Sequence, residues 1–114
     1  MSAITTHGLD TARGTPAAGV PVVLEVWSGE SGWRLVGSAA TDRDGRARSL
    51  LPAGAALDEG TYRLTFEVHD YFRAQQVAAF FPEVSVVFSV RDPGEHYHVP
   101  LLLSPFGYTT YRGT

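Results

Sequence analysis

The chain has 114 residues, 44% of them hydrophobic and 18% charged, with nine basic side chains against twelve acidic ones and a formal net charge of -3. That length holds one ordinary core and not two, so a single domain spanning residues 1–114 is expected. The acidic balance and scattered arginines argue against a nucleic-acid partner, the lack of cysteine excludes a disulfide framework, and no apolar run approaches the roughly 20 residues of a membrane span.

The opening MSAITTHGLD has neither a basic segment nor an apolar one of the secretory type, and with no cysteine to oxidise a cytoplasmic location is expected. Seven prolines and twelve glycines are spread along the chain, and turn signals recur about every eight to twelve residues, the spacing of an antiparallel sandwich or barrel. After Gly14-Thr15-Pro16 and Gly19, the run from Val20 to Trp27 places Val20, Val22, Leu24 and Val26 on one apolar face and predicts a strand. Ser28 to Gly32 is a loop, Trp33 to Ala40 the returning strand, and Thr41-Asp42-Arg43-Asp44-Gly45 a tight turn. A short strand is expected over Arg46 to Leu51, followed by a loop to Gly60.

Thr61 to His69 alternates most clearly, with Tyr62, Leu64, Phe66 and Val68 on one face. The segment Phe72 to Ala79 is the one plausible helix, since it has good helix formers and Pro82 stops anything longer. Val84 to Val90 is a strand, Asp92-Pro93-Gly94 a turn, and Tyr97 to Leu103 and Tyr108 to Arg112 the last two strands. Seven or eight short strands with one short helix define an all-β fold, an antiparallel β-sandwich.

The closing nineteen residues, HYHVPLLLSPFGYTTYRGT, hold two histidines, three tyrosines and an arginine with almost no other charge. A period of two puts Val99, Leu101 and Leu103 on a core face and His96, His98, Pro100, Leu102 and Ser104 on the other. Imidazoles mixed with Pro and Leu suit neither bulk water nor a dry core, but they do suit a polar pocket on a face covered by another subunit. His96-x-His98 is also the spacing at which one strand can offer two imidazoles to zinc, with His7 a conceivable third ligand; hydrogen-bonded structural histidines give the same pattern. Ser104 lacks a nucleophile-elbow context, Asp42-x-Asp44-Gly45 lacks the later bidentate Glu of a calcium loop, and Arg46 alone reads as a solvated hairpin arginine.

His7-Gly8-Leu9-Asp10, Gly14-x-Pro16-Ala17, Asp44-Gly45-Arg46, Gly60-x-Tyr62, Asp70-Tyr71-Phe72, Phe81-Pro82 and the closing block together resemble the transthyretin-related proteins over essentially the whole chain. The closing block is similar to the one that ends the family's 5-hydroxyisourate hydrolase branch. The resemblance implies a transthyretin-like sandwich and cofactor-free, metal-independent hydrolysis of 5-hydroxyisourate to 2-oxo-4-hydroxy-4-carboxy-5-ureidoimidazoline in urate degradation. It further implies a homotetramer with sites where dimers meet, a catalytic set of His7, Arg46 and His98, and a substrate pocket shaped by Tyr111, Arg112, Gly113 and Thr114. A non-enzymatic carrier of a small aromatic ligand is the alternative within the same fold. Gly8 stands where the family usually has a β-branched residue and is expected to loosen its strand; Thr114 stands where it usually has Ser, and keeps the hydroxyl.

Overall fold

The computed structural model describes residues 3–114. Nine strands and one short helix form two sheets that face each other: β1 (Ile4–Asp10), β2 (Thr15–Pro16), β3 (Pro21–Trp27), β4 (Trp33–Ala40), β5 (Arg46–Ala47), β6 (Gly60–Glu67), α1 (His69–Ala74), β7 (Glu83–Val90), β8 (Tyr97–Ser104) and β9 (Gly107–Thr110). One sheet has the order β4-β3-β6-β7; the other has β2-β1-β8-β9, with β5 also paired to β1. The faces read from alternation are those that meet in the core. Val22, Leu24, Leu64, Phe66 and Val84 from the first sheet pack against Ile4, Val99, Leu101 and Leu103 from the second.

The structure has nine strands where seven or eight are expected, adds the short β2 and ends the last strand at Thr110 rather than Arg112; four further departures each have a physical reason. First, β1 escapes a periodicity reading because its Thr5-Thr6-His7-Gly8 stretch has no apolar alternation; it is nonetheless the central strand of its sheet, with Thr6 fully buried and its hydroxyl donating to the Val99 carbonyl. Second, β1 and β8 run parallel, from Ile4 opposite Tyr97 to Asp10 opposite Leu103, while every other strand pair is antiparallel. No hairpin joins these distant strands, so nothing local imposes an antiparallel register.

Third, the helix lies at His69–Ala74 rather than Phe72 to Ala79. It starts directly after β6 because Phe72 seats in the core, and it ends where Gln76 takes a positive φ of 57°, a left-handed termination that good helix formers beyond it do not override. Fourth, β5 is two residues long. The chain leaves the sheet after Ala47 and brings the Leu50 carbonyl to within 1.9 Å of where a Cβ on Gly37 would stand, so a glycine is needed there to let the backbone cross.

Gly8 does not leave β1 loose. Its N–H donates to the Gly45 carbonyl at 2.7 Å and its own carbonyl accepts from Ala17 N–H at 3.0 Å, so backbone bonds hold the strand where a side chain would otherwise pack.

Candidate active site

The turn before Arg46 is built by one carboxylate. Asp42 Oδ1 accepts from the backbone N–H of Asp44 at 2.9 Å and of Arg46 at 3.0 Å, closing an Asx-type turn that also needs Gly45 at φ 80°. The Arg46 N–H bond is the largest influence holding the Asp42 carboxyl below its ordinary range, so the carboxylate is the form that maintains the turn. From this turn Arg46 enters β5 directly opposite His7 of β1. The turn reaches back to that histidine as well: His7 Nε2 lies 2.8 Å from the Asp44 carbonyl oxygen. A carbonyl only accepts, so Nε2 carries the proton and neutral His7 keeps its lone pair on Nδ1.

On the other side of β1, the parallel register sets Thr5 opposite His98 and His7 opposite Pro100. Paired residues on adjacent strands share a sheet face, so Thr5, His7, Arg46, His98 and Pro100 all stand on the outer face of this sheet. Thr5, Thr6, Arg46, Arg48, His96, His98 and Thr114 line a pocket of about 240 Å³ there. Arg48 pairs with Asp42 at 3.4 Å, whereas Arg46 has no ion-pair partner among the described residues. Burial, then the Arg46 charge and the His7 and His96 rings, push His98 below its usual value, so the ring is neutral at pH 7.

Of the residues singled out in the sequence, the fold brings His7, Arg46, His98 and Thr114 to one face and lays Gly113 against His98, while Tyr111 and Arg112 point elsewhere. Gly113 bridges to β8, its N–H donating to the His98 carbonyl at 2.8 Å, and a Cβ on it would stand 2.7 Å from His98 Cδ2. The tail can therefore lie against the imidazole only with a glycine at this position. Arg112 turns away: its guanidinium bonds Glu95 at 3.0 Å and the His96 carbonyl at 3.3 Å and stacks 4.6 Å over the Tyr97 ring. Tyr111, 55% exposed, lines a separate groove with Val86, Phe88 and Val99 beside the β7 edge.

Sequence reasoning missed Thr5, Thr6 and Arg48 in the pocket lining and Asp42 beneath the turn. The available signal was Thr5 two residues before His7, which a strand places on the same face. The zinc reading gains no third ligand: among the described residues no group of three or more His, Cys, Asp or Glu could hold a metal ion, and His96 and His98 each direct one nitrogen to the Thr5 hydroxyl. Among the described residues no helix is long and apolar enough to cross a membrane.

The fold and the site together define a two-sheet β-sandwich that gathers an arginine and imidazoles on the outer face of one sheet, the arginine having no ion-pair partner among the described residues. The profile of the HIUase/Transthyretin family matches residues 4–113, and the chain belongs to that family. It is 50% identical to the uric acid degradation bifunctional protein TTL of Arabidopsis thaliana over 97% of this chain, and it spans 37% of the length of that relative. It is 48% identical to the 5-hydroxyisourate hydrolase of Deinococcus radiodurans, covering 97% of this chain and 95% of the relative. Among solved structures, Klebsiella pneumoniae 5-hydroxyisourate hydrolase superposes with a TM-score of 0.81 at 35% identity, covering 97% and 98% of the two chains. Sea bream transthyretin in complex with thyroxine superposes at 0.90 and 30% identity, covering 99% and 96%.

Proposed function

We propose that this protein hydrolyses 5-hydroxyisourate in urate degradation, and that the pocket carrying Arg46 and His98 is where it does so. The observation that carries the assignment of the site is the Arg46 guanidinium, without an ion-pair partner among the described residues, beside an imidazole that is neutral at pH 7. Opening the six-membered ring needs a base for water, a positive group for the developing oxyanion and an acid for the departing nitrogen.

His98 Nδ1 is committed to Thr5, which leaves Nε2 to take a proton from water. The hydroxide equivalent adds to the ring carbonyl carbon, and the oxygen that becomes negative is stabilised by Arg46. Collapse of the tetrahedral intermediate breaks the ring C–N bond, and the nitrogen receives the proton that His98 took. His7, with its tautomer set by the Asp44 carbonyl, offers the Nδ1 lone pair to orient the water or the substrate. Neither a metal nor a cofactor enters these steps.

The same reading makes the protein a homotetramer with its sites at the interface between dimers, in a cytoplasmic setting. Three features support the assembly: the half-buried Leu102 on the His98 face, Phe106 left 71% exposed, and the edge strands β7 and β9 available for pairing. The carrier reading is favoured by the superposition on thyroxine-bound transthyretin, but a carrier has no use for a base beside this arginine. An absorbance assay in which urate oxidase generates 5-hydroxyisourate separates the two. Faster decay than in buffer, unaffected by chelator, is expected; decay at the buffer rate would reject the enzyme and leave the carrier.

A further inference from the structure

The Thr5 side chain is nearly buried, and its single hydroxyl lies between two imidazoles, 2.8 Å from His98 Nδ1 and 3.1 Å from His96 Nε2. The parallel β1–β8 register, which sets Thr5 opposite His98, creates this arrangement. The two rings are near parallel, 15° between planes with centroids 6.5 Å apart, so the hydroxyl is their shared link.

The hydroxyl oxygen can accept two bonds, but its own proton has no other acceptor among the described residues and the side chain is nearly buried, so the arrangement that satisfies all three groups has it donate in one of these bonds and accept in the other. Only two arrangements of neutral rings satisfy both. In one, His98 donates from Nδ1 to Thr5 and Thr5 donates to His96 Nε2, leaving a lone pair on His98 Nε2. In the other, His96 donates from Nε2, Thr5 donates to His98 Nδ1, and the His98 proton is forced onto Nε2. The charged and titratable groups around His98 are His7 on β1, Arg46 and Arg48 on the segment beginning at β5, and His96 on its own segment. The positive charge of Arg46 favours a lone pair over an N–H on the ring nitrogen left open to the pocket, which selects the first arrangement.

We propose that Thr5 is a positioning residue that ties the tautomer of His98 to the protonation state of His96. When the exposed His96 takes a proton on Nε2, it becomes a donor to Thr5; Thr5 must then donate to His98 Nδ1, and the His98 proton moves to Nε2. His98 is silenced as a base although its own ring has gained no charge. The two imidazoles therefore lose activity as a unit, with the macroscopic behaviour of a coupled pair. This inference rests on the proposed role of His98 for its kinetic consequence but not for its tautomer.

Two measurements on the full-length protein test it. Long-range 15N–1H NMR of the unliganded wild type above pH 8 is expected to show His98 protonated on Nδ1 and His96 with its lone pair on Nε2; a neutral His98 protonated on Nε2 would overturn the proposal. In the kinetic arm, Thr5→Ser, which keeps the hydroxyl, is expected to recover most of the turnover lost in Thr5→Val and to show the wild-type acid limb. Thr5→Val is expected to lower kcat about 10- to 100-fold with little change in KM, the range for losing a group that orients a functional imidazole, and to move the acid limb to lower pH because His98 then titrates alone. A folded Thr5→Val protein with the wild-type kcat and acid limb would also overturn it. Should the wild type prove inactive on 5-hydroxyisourate, the proposed function fails and the NMR arm still decides the tautomer; the same arm decides if Thr5→Val does not fold.

Discussion

His7 and Asp44, 37 positions apart, are joined by a 2.8 Å bond from the imidazole Nε2 to a backbone carbonyl, so the turn that delivers Arg46 also fixes the tautomer of the histidine opposite it. Gly45 is the tightest point of that turn. At φ 80°, a Cβ on it would stand 2.3 Å from the Gly8 carbonyl oxygen, a contact with backbone that no rotamer relieves. Gly45→Ala is expected to cost about 1–3 kcal/mol from the positive φ alone, seen as a lower denaturant midpoint, and to lower kcat further because Arg46 and His7 shift together. An unchanged midpoint would show that the turn yields more easily than the geometry indicates.

Arg46→Ala is expected to lower kcat by roughly 10²-fold or more while changing KM less, the pattern for a group that acts on the developing oxyanion. Arg46→Lys is expected to restore only part of the rate, since an ammonium lacks the planar donor fork. Steady-state kinetics with freshly generated substrate decides between these outcomes, and a normal kcat in Arg46→Ala would remove the residue from the chemistry.

Burial first, and the Arg46 charge second, hold His98 below its ordinary value near 6.5. A ring protonated less readily in the folded chain than in the unfolded one makes the unfolded state the better proton acceptor between those two values. The stability tied to His98 is therefore fully present above about pH 6.5 and is lost as the pH falls through its lowered folded value. Replacing His98 by Asn is expected to flatten that part of the melting-temperature profile, and Arg46→Gln is expected to raise the His98 midpoint in an NMR titration.

Gly113→Ala places a methyl 2.7 Å from His98 Cδ2 and 3.2 Å from Pro100 Cγ, so the tail must lift off the imidazole. Most of the activity should go while the melting temperature changes little, because the core lies on the opposite face of β8. Deleting Tyr111 to Thr114 is expected to act the same way. A melting-temperature loss as severe as the activity loss would instead make the tail a structural brace.

Gly8→Ala is expected to be tolerated and to stabilise the protein by about 0.5–1 kcal/mol, since a glycine inside a strand loses more freedom on folding than alanine does. The new Cβ meets Ala17 Cβ at 3.4 Å and its other neighbours at 3.7 Å or more, a fit that needs little movement. A higher denaturant midpoint with an unchanged slope would show it; a lower one would mean that Ala17 cannot give way.

Much of this protein was legible in its sequence. The alternation of Tyr62, Leu64, Phe66 and Val68, and of Val99, Leu101 and Leu103, marks strands and their core faces because burial of every second side chain is a local property of a strand. The closing block and the His7, Arg46 and His98 positions together carry the family resemblance. What only the tertiary structure decided is which strand lies beside which: the parallel pairing of β1 with β8 sets Thr5 between two imidazoles 91 and 93 positions away, and the course of the tail past β8 sends Arg112 to Glu95 and Tyr97 rather than into the pocket. Such pairings follow from how two whole sheets close over one core, and no local period encodes them.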